Sequence, residues 1–385
     1  MIRGLTTMFL TILLIGCDKA EKIKGTWKVD ELSQYPLIIT NYGDAKFDTG
    51  SRVTFGNNGQ LHIYLTDTTN TCLINLACLD TGQRFKVKAA TKEVTKATIL
   101  WTIDFSPDGQ FFAIGGDDGL LKIYNASNHK LLNSYNLLAA VQCVDWNHGK
   151  LLAIALDDKP VQLLNMETGT FQVLNETTGS RSLAWNYNGQ LLAIGDYEGS
   201  LLIFSKEGIL LKSIKKDNNK TYLTVDWHPK KNIILTGSDK IRIFDTTGNL
   251  LYSIKHRPEE TPILTVKWHP DGLFFATGDY GEKENKIESL LQFWNINGTL
   301  MKSLHGSNAE YRNIRWNKSG NRLATASDAL RLWSEDGKII YSGDSKNLLW
   351  GIDWDNSNRT IITTSNNGSV KLWTDKAMLL KDIKN

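Results

Sequence analysis

The chain of 385 residues is short of cysteine, of charge of one sign and of long apolar runs, and each shortage removes a class of protein. Lys and Arg number 44 against 41 Asp and Glu, interspersed rather than blocked, so the basic face or run of a nucleic-acid binder is missing. Apolar stripes of period 3.6 behind helix caps do not occur. Short apolar runs bounded by Gly, Asn and Asp recur instead, which points to an all-β protein. The seven histidines show no His-x-x-x-His spacing, and there is no Gly-x-Ser-x-Gly, phosphate loop or calcium loop. No catalytic residue, metal ligand set or cofactor is therefore expected. His228 and His269 stand before Pro in equivalent hairpins; a ligand pair is conceivable there, but two solvated turn residues are the expectation. Cys143 is expected to be buried on a strand. Cys72 and Cys78 would lie about 20 Å apart on one extended strand, so a disulfide would need a turn between them.

One apolar run stands at the start of the sequence. After Met1-Ile2-Arg3, the stretch Leu5 to Ile15 is interrupted only by threonines. It is too short for a hydrocarbon core of about 30 Å, which needs roughly 20 helical residues, and it suits a signal-peptide core. Leu14-Ile15-Gly16-Cys17 follows and resembles the lipobox of bacterial lipoproteins. That resemblance implies cleavage before Cys17, a diacylglycerol on its thiol and an acyl chain such as palmitate on the new amino terminus. Residues 1–16 are then a signal peptide, and the protein is anchored to a membrane outside the cytoplasm, on the periplasmic or cell-surface side. Several acyl chains, at about 0.8 kcal/mol per buried CH₂, hold where one would not. Asp18 resembles the inner-membrane retention signal of enteric bacteria, a rule that does not hold in all bacteria, so which membrane stays open.

Self-alignment gives seven anchors: Phe105, Trp146, Trp185, Trp227, Trp268, Trp316 and Trp354, spaced by 41, 39, 42, 41, 48 and 38 residues. Two positions before each anchor the residue is aliphatic, and three before it is small or polar (Thr102, Cys143, Ser182, Thr224, Thr265, Asn313, Gly351). That alternation is a strand. A turn follows, as in Ser106-Pro107-Asp108-Gly109, then a second strand, then a third ending at Tyr124, Leu164, Phe204, Phe244, Trp294, Trp333 or Trp373. A fourth repeats variants of Gly-x-Leu-Leu-x-Ser-Ile.

Four short strands every 40 or so residues, with an aromatic closing the third, resemble the WD40 repeat of β-propellers. The resemblance implies four-stranded blades that stack radially, because one blade cannot bury either apolar face alone. The chain departs from the family where the Gly-His pair before the first strand is missing and where the Trp-Asp ending decays. The family's His–Asp–Ser/Thr–Trp tetrad is thus expected to be incomplete, although Asp118, Asp158, Asp239 and Asp328 match its turn aspartate. Packing is expected to hold the blades.

Upstream, Val53-Thr54-Phe55 through Leu61 matches Leu183 through Leu191 in register, so residues 50–95 read as a degenerate eighth blade. A rival reading starts from Gly25-Thr26-Trp27, which resembles the opening of lipocalin-like modules; the roughly seventy residues available are few for such a barrel. The expected organisation is a signal peptide over 1–16, a tether and N-terminal segment over 17–49, and a propeller over 50–385, with seven clear repeats in 96–385. In WD40-like folds the face carrying the first-strand starts commonly binds partners. Trp101, Arg181, Tyr222, Tyr311, Arg312 and Trp350 fall there, aromatics and arginines suited to a hot spot. The longer loop Asp279–Glu288 carries six charges and is by default a tolerated insertion. The functional expectation is a membrane-anchored, non-catalytic scaffold for an envelope protein or peptide. The alternative is an enzyme or small-molecule binder using the central channel, which convergent acids at the channel would favour.

Overall fold

The computed structural model describes residues 98–215, 224–281 and 286–383, together with the backbone of five strands between Gly25 and Ala90. Every regular element among them is a strand, and no helix long and apolar enough to cross a membrane is present among the described residues. The chain divides into two compact units, Met1–Lys96 and Ala97–Asn385.

The second unit is seven four-stranded antiparallel sheets, each made of four consecutive strands in sequence order. The first strands are Leu100–Phe105, Val141–Trp146, Ser180–Trp185, Thr224–Trp227, Ile263–Trp268, Asn313–Trp316 and Leu349–Trp354. Inner strands show almost no in-and-out alternation: Phe111–Gly116 and Phe274–Asp279 are buried nearly throughout. Both of their faces lie against a neighbouring blade, so period-two polarity is not required. Outer strands such as Leu131–Asn136 and Leu250–Ile254 are mostly exposed. The aromatics fill the space between blades, with Trp333 and Trp373 almost fully buried.

The ring closes on seven blades. Blades 7 and 1 share one core, in which Ile362, Val370, Leu372 and Ile383 pack with Leu100, Ile103, Phe112 and Tyr124. No strand is lent across this junction. It is tied by polar contacts: the Phe105 N–H donates to Asp353 at 2.8 Å, Thr364 Oγ1 to the Leu100 carbonyl at 3.0 Å, and Asn356 Nδ2 to the Pro107 carbonyl at 2.7 Å.

The eighth blade expected over residues 50–95 is therefore corrected, since the seven-bladed ring leaves no gap for it. Strands within that span belong to another sheet. Gly25–Lys28, Arg52–Phe55, Leu61–Tyr64, Leu73–Cys78 and Phe85–Ala90 form a five-stranded antiparallel meander in the first unit. Its first strand, paired with Arg52–Phe55, starts at the Gly25-Thr26-Trp27 on which the rival reading rests. Cys72 lies outside the described residues, and Leu73–Cys78 is one continuous strand.

His228 and His269 are not solvated turn residues. They are 2% and 5% exposed, and each reaches the hairpin of the next blade. His228 Nδ1 accepts from the Lys230 N–H, which leaves Nε2–H to donate to the Gly272 carbonyl at 3.1 Å. His269 Nε2 meets the Gly320 carbonyl at 2.9 Å in the same way. Gly272 has a φ of +79°, and a Cβ there would fall 2.5 Å from the His228 ring. Left-handed backbone costs an L-residue about 1–2 kcal/mol, and the ring adds a clash. Gly272→Ala is expected to destabilise by more than that backbone cost. The double variant with His228→Ala should cost less than the sum of the singles, measured by denaturant unfolding; strict additivity would show that ring and glycine do not interact.

Candidate functional site

The position just before each anchor reads Asp104, Asp145, Ala184, Asp226, Lys267, Arg315 and Asp353. The first strand of a blade pairs on one side only, leaving alternate N–H groups of its other edge without a sheet partner. The preceding blade's carboxylate takes them. Asp104 accepts from the Trp146 N–H at 2.9 Å, Asp145 from Trp185 at 2.7 Å, Asp226 from Trp268 at 2.8 Å, and Asp353 from Phe105 at 2.8 Å. Indole N–H groups repeat the step one layer out, Trp185 to the Asp145 carbonyl at 3.1 Å and Trp227 to the Ala184 carbonyl at 2.8 Å. Hydroxyls three before the anchor add a third tie: Thr102 accepts from the Val144 N–H and Ser182 from the Val225 N–H.

Two cations balance this acidic ring. Lys267 Nζ is 2.6 Å from Asp226, and Arg315 lies 3.8 Å from Asp104 and 3.6 Å from Asp353. Burial, then the neighbouring Asp353 and Asp145, raise Asp104 well above the ordinary carboxylate range. Burial likewise raises Asp145, to about 6, against the opposing pull of Lys267. Cys143 faces the same channel, and burial pushes its thiol up to about 11. Convergent acids are the feature that would favour catalysis in the channel. Here each of them holds a neighbouring blade's backbone.

Towards the strand starts the channel opens to solvent as a small funnel of about 70 Å³. Its mouth is built by β-bulges. With strict period two, residues four before the anchor would face the blade core with the anchor itself. Register shifts at Leu100/Thr102 and Ser180/Ser182 leave Trp101 and Arg181 as extra residues, and the bulge turns them to the funnel lining. Gln142 is placed alike by the shift at Val141/Cys143.

Four of the six expected partner-binding residues meet at this mouth. Trp101 and Trp350 stand edge to face at 4.1 Å between centroids. The Arg312 guanidinium lies 4.1 Å over Trp350, and Arg181 lies 6.0 Å over Trp101. Trp101 also donates its indole N–H to Asp117. Tyr311 is corrected: it is fully buried, its ring packed where Gly278 of blade 5 carries no side chain. Tyr222 and Cys17 lie outside the described residues.

Blade 5 assembles three members of the tetrad by hydrogen bonds, while His256 Nδ1 makes none to the nearby aspartate. Trp294 Nε1 donates to Thr277 Oγ1 at 3.0 Å, Thr277 meets His256 Nε2 at 2.9 Å, and His256 Nδ1 lies 3.5 Å from Asp279. Burial lowers His256 to about 3, so it is neutral. Asp279, the first charge of the long loop, is fully buried and also binds Arg257 at 2.9 Å, so it is part of the frame. Among the described residues, His269, Asp271 and Glu335 bring possible metal donors within 4.8 Å of one another. His269 Nε2 is already held there by the Gly320 carbonyl.

These features define a seven-bladed β-propeller of the WD40 type. Comparison with known families agrees: residues 337–374 match the WD domain, G-beta repeat, and residues 68–148 match the anaphase-promoting complex subunit 4 WD40 domain. Residues 161–311 match the eukaryotic translation initiation factor eIF2A family. The chain is 27% identical over 189 residues to a serine-threonine kinase receptor-associated protein of Gallus gallus, covering 47% of this chain and 52% of that protein. It is 28% identical over 155 residues to WD repeat-containing protein slp1 of Schizosaccharomyces pombe, covering 39% and 31%. A transcriptional corepressor, LEUNIG_HOMOLOG of Arabidopsis thaliana, is 25% identical over 245 residues, covering 60% and 30%. The chain thus spans about half or less of the length of these relatives.

A carboxyl raised from its unfolded value of 3.8 to about 6 holds its proton in the fold where the unfolded chain has lost it. The stability from Asp145 is fully present below the unfolded value and is lost as pH rises toward 6. Unfolding measured across that window should show this fall, and Asp145→Asn, which keeps an acceptor for the Trp185 N–H, should flatten it. An unchanged slope in the variant would show that Asp145 titrates normally.

Proposed function

We propose that this protein is a lipid-anchored, non-catalytic WD40 platform that binds an envelope protein or peptide at the channel mouth. The observation that carries the reading is the exposed part of that mouth. Trp101, Trp350 and Arg312 form a partly buried aromatic and cationic shelf, of the composition enriched in protein hot spots. WD-repeat relatives support a role in protein interaction, and the acids of the channel are spent on the blades rather than free for a substrate. Anchoring rests on Gly16-Cys17 behind the apolar stretch Leu5 to Ile15, with the membrane side of the cell envelope as its site.

Two experiments test the reading. Crosslinking and capture from intact membranes should recover a defined partner at fixed stoichiometry. Trp101→Ala with Trp350→Ala should reduce that recovery by roughly tenfold or more, with the thermal midpoint little changed because both rings are partly exposed. Full recovery with the double variant would move the interface elsewhere. Separately, Cys17→Ser should shift the protein from the membrane fraction to the soluble fraction, and a variant still wholly membrane-bound would refute the lipid anchor.

A further inference from the structure

Among the described residues, the cations lining the channel and its mouth are paired, with one exception. Lys267 is paired with Asp226, and Arg315 sits between Asp104 and Asp353. Arg312 places Nε and Nη2 on Glu310 Oε1, at 2.9 and 2.8 Å, and stacks between Trp350 and Tyr280. Arg181 has neither a hydrogen bond nor an ion pair among the described residues, and its one contact of this kind is the Trp101 ring. Asp157, which acts on Arg181 electrostatically, is engaged with Tyr197. Burial, then the nearby Arg312, hold Arg181 below the ordinary guanidinium range, so its charge is costly where it stands. A guanidinium has five N–H donors, and a partly buried one that uses none of them on the protein is left to a ligand or to water.

Resting on the platform reading above, we infer that Arg181 is the specificity element of the mouth and receives one carboxylate from the partner. That carboxylate is an aspartate or glutamate side chain presented by an extended peptide lying on the Trp101 and Trp350 shelf. The unused donor fork selects this chemistry. Among the described residues, Arg181 is the guanidinium of the mouth with its N–H fork unused, whereas Arg312 is already engaged by Glu310, and a planar carboxylate fits that fork. The bidentate fit of guanidinium to carboxylate supplies direction, and the rings supply apolar contact for the neighbouring side chains.

The test uses the full chain labelled with ¹⁵N-tryptophan, so that the Trp101 and Trp350 indole signals report occupancy. The probes are an acetylated, amidated alanine pentapeptide with a central glutamate, its glutamine twin and its phosphoserine twin. The glutamate peptide should shift both indole signals and saturate below roughly 10 mM, and the glutamine twin should bind about tenfold or more weakly. Arg181→Gln should abolish the preference for glutamate, and Arg181→Lys should restore part of it. Equal binding of glutamate and glutamine peptides, or no saturating shift, would overturn the inference. Tighter binding of the phosphoserine peptide would overturn the monocarboxylate assignment. If Arg181→Gln left capture of the membrane partner intact while the tryptophan variants lost it, the platform would stand and the role of Arg181 would fall.

Discussion

The innermost strand of each blade has a sheet partner on one side only, and what happens to its other edge decides how the ring is held. A row of buried, unpaired N–H groups around a channel would cost on the order of 1–3 kcal/mol each. In four of seven junctions an aspartate from the preceding blade accepts the anchor N–H, at 2.7 to 2.9 Å. Thr102, Ser182 and Thr224 take a second N–H two residues earlier. The residue that closes one blade thus also secures the next. Because no strand crosses from blade 7 to blade 1, the junction at Asp353 depends on these side chains and on the shared apolar core.

That arrangement has an electrostatic consequence. Four carboxyls brought to one channel repel one another, and burial deprives them of water, which is why Asp104 and Asp145 are pushed up. Lys267 and Arg315 stand where two further acids would otherwise be, and they offset part of that repulsion. Ala184 removes one more charge, at the expense of a tie to Trp227. The ring is acidic enough to bind the neighbouring backbones and cationic enough to remain folded. The mouth above it is a separate layer, set by the bulges and populated by aromatic rings and arginines.

Much of this was legible in the residues and part was not. The anchors and the aliphatic row before them are periodic over seven repeats, and periodicity survives loss of the Trp-Asp ending. The aspartates beside four of the seven anchors are equally visible in the sequence. It escapes notice because a charge on an inner strand reads as solvent-facing until the channel is known. The bulges that bring Trp101 and Arg181 to the mouth leave no local signature, since any residue can occupy them. Sequence position alone puts Tyr311 at the rim, because its burial depends on Gly278, 33 positions away in sequence. His256 carries no tetrad signature in the sequence, because Lys255, not Gly, precedes it. The eighth blade failed for a related reason: a matching hairpin sequence does not specify which sheet receives it.

Neighbouring carboxyls, rather than packing alone, protect the inner edges of the blades. Native-state hydrogen exchange of the tryptophan backbone amides tests it without any substitution. Trp146, Trp185 and Trp268 donate to Asp104, Asp145 and Asp226, whereas Trp227 and Trp316 face Ala184 and Lys267 at the equivalent junctions. The first three amides should exchange about tenfold or more slowly than the last two, as the carboxyl hydrogen bond requires, and Trp227, as buried as the first three, separates this from exposure. Equal protection of all five would contradict this role of the carboxyls and leave the ring to packing.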